Sequence, residues 1–384
     1  MPRPARRILA AAAAFFVLSL VVCTHAVPSA AASAASAASA PAAFAIVAID
    51  SLRGEWGAAA VSRWIAVGAR SIEARASAGA WSALELPDPR EAALLLVRMS
   101  RGVSARAALD SLLAQDPRHA ERQIAIVDRV GTTASFTGDR CPLWAGQLSG
   151  RGYVCQGVAL PGEEALKAMG KVFESATGTL AERLLAAVES AESVFPVREE
   201  VESAAILVVR EGGGPNGWSD RLVDLRVDQA QDAVQELKSV YAAHAATFLP
   251  AAYARLGDEE KRRGDSISAE REYARAEAEF RAAIARRPKD AAALNELAWF
   301  LATHDRDMEE AVQLAKSAVS TQPRDPILYD TLAEAEYRSG SLTRAIEAME
   351  RAVKYSGGEA RYTERLARWM RERAALEGKG SSKP

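Results

Sequence analysis

The chain has 384 residues, too many for one typical core. Its net charge is −2, with 26% charged residues of balanced sign, which gives no footprint for a nucleic acid or another polyanion. Four scattered histidines, His25, His119, His244 and His304, are poor material for a zinc site, and neither a metal nor a cofactor is expected.

Arg3, Arg6 and Arg7 precede an uncharged run from Ile8 to Val22, which small residues follow. That order predicts a signal peptide over 1–26 and an exported protein, periplasmic or secreted. The run is short for a permanent anchor, so no stable membrane span is expected in the mature chain. Lipid attachment at Cys23 is the weaker alternative, because Val22 stands where a small residue is normally needed. Residues 27–42 are almost only Ala, Ser and Pro and read as a flexible linker.

The folded body is expected to begin at 43. Phe44–Asp50 and Trp56–Ser62 read as strands, with the neighbourhood of Val67, Ala69 and Ser71 extending the same sheet. Helical spacing covers Asp88–Gly102 and Ser104–Gln115, with Ser104 as N-cap and Asp116-Pro117 as a stop. A strand–loop–strand unit spans Arg122–Val158. Helices at Glu163–Ala176 and Leu180–Ser193 follow, then strands at Ala204–Val209 and Leu222–Val227, joined by a glycine-rich turn. The order is strands, two helices, strands, two helices, strands, which fits two stacked sheets covered by helices on both outer sides.

Removal of a signal leaves Cys141 and Cys155 as the remaining thiols, and an oxidising compartment favours pairing them. Such a staple would contribute about 3 kcal/mol through the unfolded state. A cysteine nucleophile is the sharper alternative.

Past Pro250 the character changes. Leu297-Ala298 answers Leu332-Ala333, Ala311 answers Ala345, Ala318 answers Ala352 and Pro288 answers Pro323, with Gly340 in a helix–helix turn. A period of about 34 to 35 residues with small positions, large positions and prolines recurring together resembles tetratricopeptide repeats. Two clear repeats, a degenerate one before them and a capping helix over Glu359–Arg373 are expected within 249–376, followed by a disordered tail at 377–384. The inner face of such an array suits a peptide or protein partner, with Trp299, Tyr329 and Tyr337 as possible anchors.

The segments FAIVAID, VSRWIAVGAR, ERQIAIVD, FTGDRC, WAG, GYVCQG, ESAAILVVREGGG, GWSDR and VDLRVD resemble a bacterial family called domain of unknown function 1028. That resemblance covers about Phe44 to Tyr241 and implies the N-terminal-nucleophile (Ntn) hydrolase superfamily, with an α+β four-layer αββα sandwich over 43–245. It also implies attack by the side chain of the first mature residue, with its own α-amine as base. This chain departs from the family pattern there: Ala43-Phe44-Ala45 stands where Thr-Phe-Ser is common. Val158 replaces Asn, Glu202 replaces Gln, and Ala83-Leu84 replaces Thr-Gln.

Six polar residues are candidates for a site. Asp50 ends the first strand and could orient a nucleophile or cap a turn. Arg63 follows the second strand, where it could hold an anion or form a solvated edge. Asp139 and Arg140 adjoin Cys141 in a glycine-framed loop, as a site or as a loop-fixing salt bridge. Glu202 stands before Ser203, where the family resemblance implies Gln, and Asp220 sits beside Arg221 on the same expected rim. Gly212–Gly214 could cradle an anion, although a hairpin turn is the simpler reading. Two functions follow: an exported binding or scaffold protein without the usual nucleophile, or an amidohydrolase acting on a small amide, a peptide or a cell-wall fragment.

Overall fold

The computed structural model describes residues 42–85, 87–195 and 202–380. The expected signal peptide, nearly all of the linker and the last four residues lie outside these.

Strand β1 (Ala43–Asp50) is the centre of the larger sheet, between β2 (Glu55–Ser62) and β8 (Tyr153–Leu160). Both of its faces are covered, so its sequence is a continuous apolar run rather than an alternation. Phe44, Ile46 and Ala48 face an outer helical layer, whereas Ala45 and Val47 face the second sheet. With β7 (Trp144–Gly150), β9 (Glu202–Val209) and β10 (Arg221–Ala230), the strand order is β10-β9-β2-β1-β8-β7. The smaller sheet has the order β3-β4-β5-β6, from Ile72–Arg75, Gly79–Ala83, Gln123–Asp128 and Thr133–Thr137.

Small side chains let these layers approach closely. Alanines 58, 60, 74, 80, 125 and 205 fill much of the space between the sheets, with Trp56, Val127 and Leu207 as the large members. On the outer face of the smaller sheet, Trp81, Ile124 and Ile126 pack under α1 (Pro89–Ser100) and α2 (Ala105–Leu113). On the outer face of the larger sheet lie α3 (Glu164–Ser175), α4 (Leu180–Val194) and α5 (Ala233–Thr247). The layers therefore run helix, sheet, sheet, helix. Gly57 marks a close approach: a Cβ there would stand 2.8 Å from the Leu207 carbonyl oxygen and 2.9 Å from Leu184 of α4.

Local chemistry sets the helix starts. Asp88 and Ser104 accept hydrogen bonds from Arg90 N and Ala107 N, and Thr179 with Glu182 forms a reciprocal capping box. Each such cap contributes about 1 kcal/mol.

The C-terminal part consists of three helix hairpins and a last helix. The hairpins pair α6 (Leu249–Arg262) with α7 (Ser266–Arg286), α8 (Ala291–Thr303) with α9 (Met308–Thr321), and α10 (Pro326–Arg338) with α11 (Leu342–Ser356). All three close with the same turn, in which Asp265 N reaches Glu260 O, Arg306 N reaches Leu301 O and Ser341 N reaches Glu336 O. The left-handed residue at each turn is Gly264, Asp305 and Gly340 in turn, so the first and least regular repeat keeps the geometry of the others.

Several expectations need correction. Val67–Ala69 is a short 3-10 turn and the chain then enters β3 of the other sheet, because β2 ends where β9 already occupies its free edge. Cys141 and Cys155 are free. Cys155 points from β8 into the outer helical layer, whereas the Cys141 thiol donates to Arg122 O at the start of β5, so the two address different layers. The last helix, α12 (Ala360–Gly380), continues past Arg373 into the stretch expected to be a disordered tail.

One hydrophobic cluster runs from Phe44 and Ile206 of the larger sheet through α4 and α5 to Phe280, Leu297 and Phe300 of the hairpins. The sandwich and the first repeats thus share a core. No helix among the described residues is long and apolar enough to cross a membrane.

Candidate functional site

The β1–β2 hairpin has two ends, about 23 Å apart at the usual rise per residue of a strand. The sequence-derived candidates are divided between them.

At the Ala43 end, Ala43 pairs with Ser62 on one side and Val158 on the other. A cavity of about 210 Å³ opens there, lined by Ala43, Ser62, Trp64, Arg70, Ser71 and Glu85. Two nearby hydroxyls are committed to the backbone: Ser203 donates to Trp64 O and accepts from Val67 N, and Ser62 accepts from Trp64 N. Two buried amides donate within the chain, Gln156 to Ser82 Oγ at 2.9 Å and Gln123 to Gly157 O at 2.8 Å, while the Oε1 of each is buried without a hydrogen-bond partner. Burial pushes the Cys141 thiol up to about 11, with the Glu85 charge adding to it, and burial also raises Glu85. Cys155 is raised as well, by burial and then by the Glu174 charge. Among the described residues no hydrogen bond joins Ser62 or Ser71 to Glu85 in this cavity.

The candidates at this end do not converge. The Arg63 Nε is buried without a hydrogen-bond partner, and its backbone N–H binds Ala42 O. Asp139 and Arg140 are exposed, and no ion pair joins them among the described residues; the loop is held instead by Arg140 N on Ala120 O and Gly138 N on Arg122 O. Glu202 opens β9 opposite Ala230, and its side chain lies outside the described residues.

Asp50 and Asp220 belong to the opposite end. Asp50 pairs with Arg53 at 2.7 Å. Asp220 accepts from Gly212 N at 3.0 Å, which fixes the β9–β10 loop. Within that loop Gly213 N and Gly214 N bind Arg210 O and Ser219 O, so the three glycine N–H groups are used internally and cradle no anion. The outward carbonyls of Gly212 and Gly214 instead receive the guanidinium of Arg255 from α6.

A buried ion cluster that sequence reasoning missed lies beside this loop. Glu55 is 1% exposed at the start of β2 and Glu272 of α7 is 2% exposed. Arg210, at the end of β9, places Nη1 2.8 Å from Glu272 Oε2, an ion-pair contact without hydrogen-bond alignment. Arg275 bridges Glu55 and Glu272 at 3.4 Å each and stacks over the ring of Tyr253. Burial pushes the Glu55 carboxyl up to about 8 against the pull of Arg210. Between the ordinary carboxylate range and that value, the folded state keeps a proton the unfolded chain releases, so this group lowers stability as pH rises through the window. Above the cluster, a cavity of about 610 Å³ is lined by Arg53, Arg210, Arg255, Glu259, Glu260 and Trp218. The sequence signal was slight: an acidic residue at a turn and an arginine closing an apolar strand both read as solvated ends.

A second opening lies on the helical repeats. A groove of about 540 Å³ runs across α6, α8 and α10, lined among others by Arg255, Asn295, Glu296, Trp299, Ile327 and Asp330. Trp299 is 38% and Ile327 52% exposed. Of the three aromatic anchors expected, only Trp299 faces the groove. Tyr329 is buried against Tyr355, and Tyr337 stacks on Trp369 at 4.8 Å between ring centres. No group of three or more metal-ligating side chains forms among the described residues.

A family model described as a family of unknown function, DUF1028, matches residues 43–237. A crystal structure of a Silicibacter pomeroyi protein of that family is similar to the chain at 26% identity, covering 53% of this chain and 86% of that one, with a TM-score of 0.48. The repeats are similar to the Sgt2 TPR domain of Aspergillus fumigatus, at 21% identity over 33% of this chain and 85% of that one, with a TM-score of 0.28. They are also similar to the second TPR domain of human RPAP3 in complex with an HSP70 peptide, at 21% identity over 32% and 98%, with a TM-score of 0.25. No curated protein matches the chain.

Replacing Arg210 by Ala would leave Glu272 buried and short of its closest cation, and urea unfolding should show a loss of about 3–5 kcal/mol. The double variant Arg210→Met with Glu272→Leu should lose less than Arg210→Ala, since it removes both charges of the closest pair together. In the folded protein at pH 8, Cys141 should react with iodoacetamide at least about 100-fold more slowly than free cysteine, because its thiolate is scarce below its raised pKa. Peptide mapping of the alkylated chain reads this directly.

Proposed function

The chain belongs to DUF1028, a family of unknown function, and on that premise we propose that it is an exported binding or scaffold protein. In this reading the sandwich is Ntn-hydrolase-like and has lost its nucleophile, and the helical repeats receive a peptide or protein partner.

The observation that carries the proposal is the groove over α6, α8 and α10. Trp299 and Ile327 stand partly open there at neighbouring positions, although hairpins of this kind normally bury such side chains between helices. An apolar strip bordered by polar groups is the shape into which an extended or helical peptide lays its anchors. Position 43 supports the non-catalytic half of the reading, since a methyl side chain can neither attack a carbonyl nor give up a proton. The serine hydroxyls closest to it in the sheet are engaged with backbone groups. An amidohydrolase would need a side chain other than these.

A phage-displayed random dodecapeptide library selected on the full chain tests the binding role. Sequences should be enriched on the parent, and the enrichment should vanish on the Trp299→Ala, Ile327→Ser double variant if its circular dichroism is unchanged. Equal enrichment on both proteins would reject the groove. In parallel, incubation with an amide-directed β-lactone should leave the intact mass of the chain unaltered, and an adduct on a sandwich residue would restore the enzymatic alternative.

A further inference from the structure

We infer that the segment received by the groove is basic, with a lysine or arginine side chain laid across the indole of Trp299 and its protons taken by Glu296 and Asn295. This rests on the reading of the groove as a peptide site and adds the chemistry of the occupant.

Three groups on α8 define the chemistry. Asn295 and Trp299 are one helical turn apart and therefore share a face, with Glu296 beside them. The Asn295 Oδ1 is buried without a hydrogen-bond partner, so an acceptor is held ready for a donor that this chain does not supply. Glu296 has no cation partner among the described residues, and burial raises its carboxyl, with the Asp290 charge adding to it. Trp299 offers an indole whose face carries the negative part of the ring quadrupole, the part that attracts a cation. An acceptor, a carboxylate and a π-face all ask for positive charge and N–H donors.

The other charged groups around the groove are already satisfied within the chain. Asp330 of α10 is paired with Arg365 at 2.6 Å. Asp258 of α6 accepts from Tyr273 Oη at 2.8 Å and lies 3.3 Å from His304 Nε2. Arg255, the groove's arginine on α6, is drawn onto the carbonyls of Gly212 and Gly214. The unmatched charge left in the groove is therefore negative. An acidic peptide would bring carboxylates against Glu296 with no free cation to receive them, whereas a basic one completes all three groups at once.

The test uses a cellulose-bound array of dodecapeptides, randomised except for a fixed central Lys, Arg, Gln or Glu, probed with the full chain. Lys- and Arg-centred spots should retain at least about fivefold more protein than Glu-centred spots, and the Glu296→Gln variant should reduce that ratio to below about twofold. Trp299→Ala should lower retention on every spot. Glu-centred spots that retain as much or more, with Trp299→Ala still abolishing retention, would keep the groove and overturn its basic occupant. A Lys-to-Glu ratio unchanged by Glu296→Gln would also overturn it, as charge elsewhere on the chain would then be responsible. Retention unaffected by Trp299→Ala would overturn both the groove and this inference.

Discussion

The buried ion cluster between the sandwich and the hairpins is the constraint around which the rest of the molecule is arranged. Glu55 comes from β2, Arg210 follows β9, and Glu272 and Arg275 come from α7, so four ionisable groups from both parts meet under cover. Desolvating such charges is costly, and the cost is offset only while every partner keeps its place. The cluster is therefore a weak source of stability but a strict specification of geometry. The repeats must sit so that α7 meets the end of β9, and α6 must then press Arg255 onto the β9–β10 loop. The continuous apolar cluster supplies the adhesion that ion pairing does not, through Phe44 and Ile206 on one side and Phe280 and Phe300 on the other.

That specification has a functional consequence. Arg255 borders both the ion-lined cavity and the groove over α6, α8 and α10. Its attachment to the glycine loop removes a positive charge from the groove, which leaves the carboxylate of Glu296 unanswered there. The sandwich thus shapes the electrostatics of the repeat surface through the loop that holds Arg255. At the other end of β1, Ala43 is paired on both sides, with Ser62 and Val158, and the Ser62 and Ser203 hydroxyls bond to backbone groups.

Much of the fold was legible because its determinants are local. β1 and β9 are continuous apolar runs since both of their faces are covered, and Asp88, Ser104 and Thr179 announce the helices they cap. The hairpins were legible because alanines and prolines recur in step. The neighbourhood of Val67, Ala69 and Ser71 does not extend the first sheet but leads into β3 of the other, a strand whose four residues, IEAR, carry too little pattern to choose between two edges. The thiols could not be resolved from spacing, which says nothing about the layer each side chain enters; Cys155 follows Tyr153 to the helical side. The site was least legible. Asp50 pairs with Arg53 and Asp220 holds Gly212 N at this end, but the residues of the ion cluster are far apart in the chain, and each resembles an ordinary solvated end until the tertiary structure brings it under cover.

Scanning calorimetry of the full chain tests the central claim that sandwich and repeats are one cooperative body joined through this buried cluster. A single transition, with calorimetric and van't Hoff enthalpies equal, is the predicted result. Two resolved transitions, with the helical repeats melting while the sheets stay intact, would contradict it.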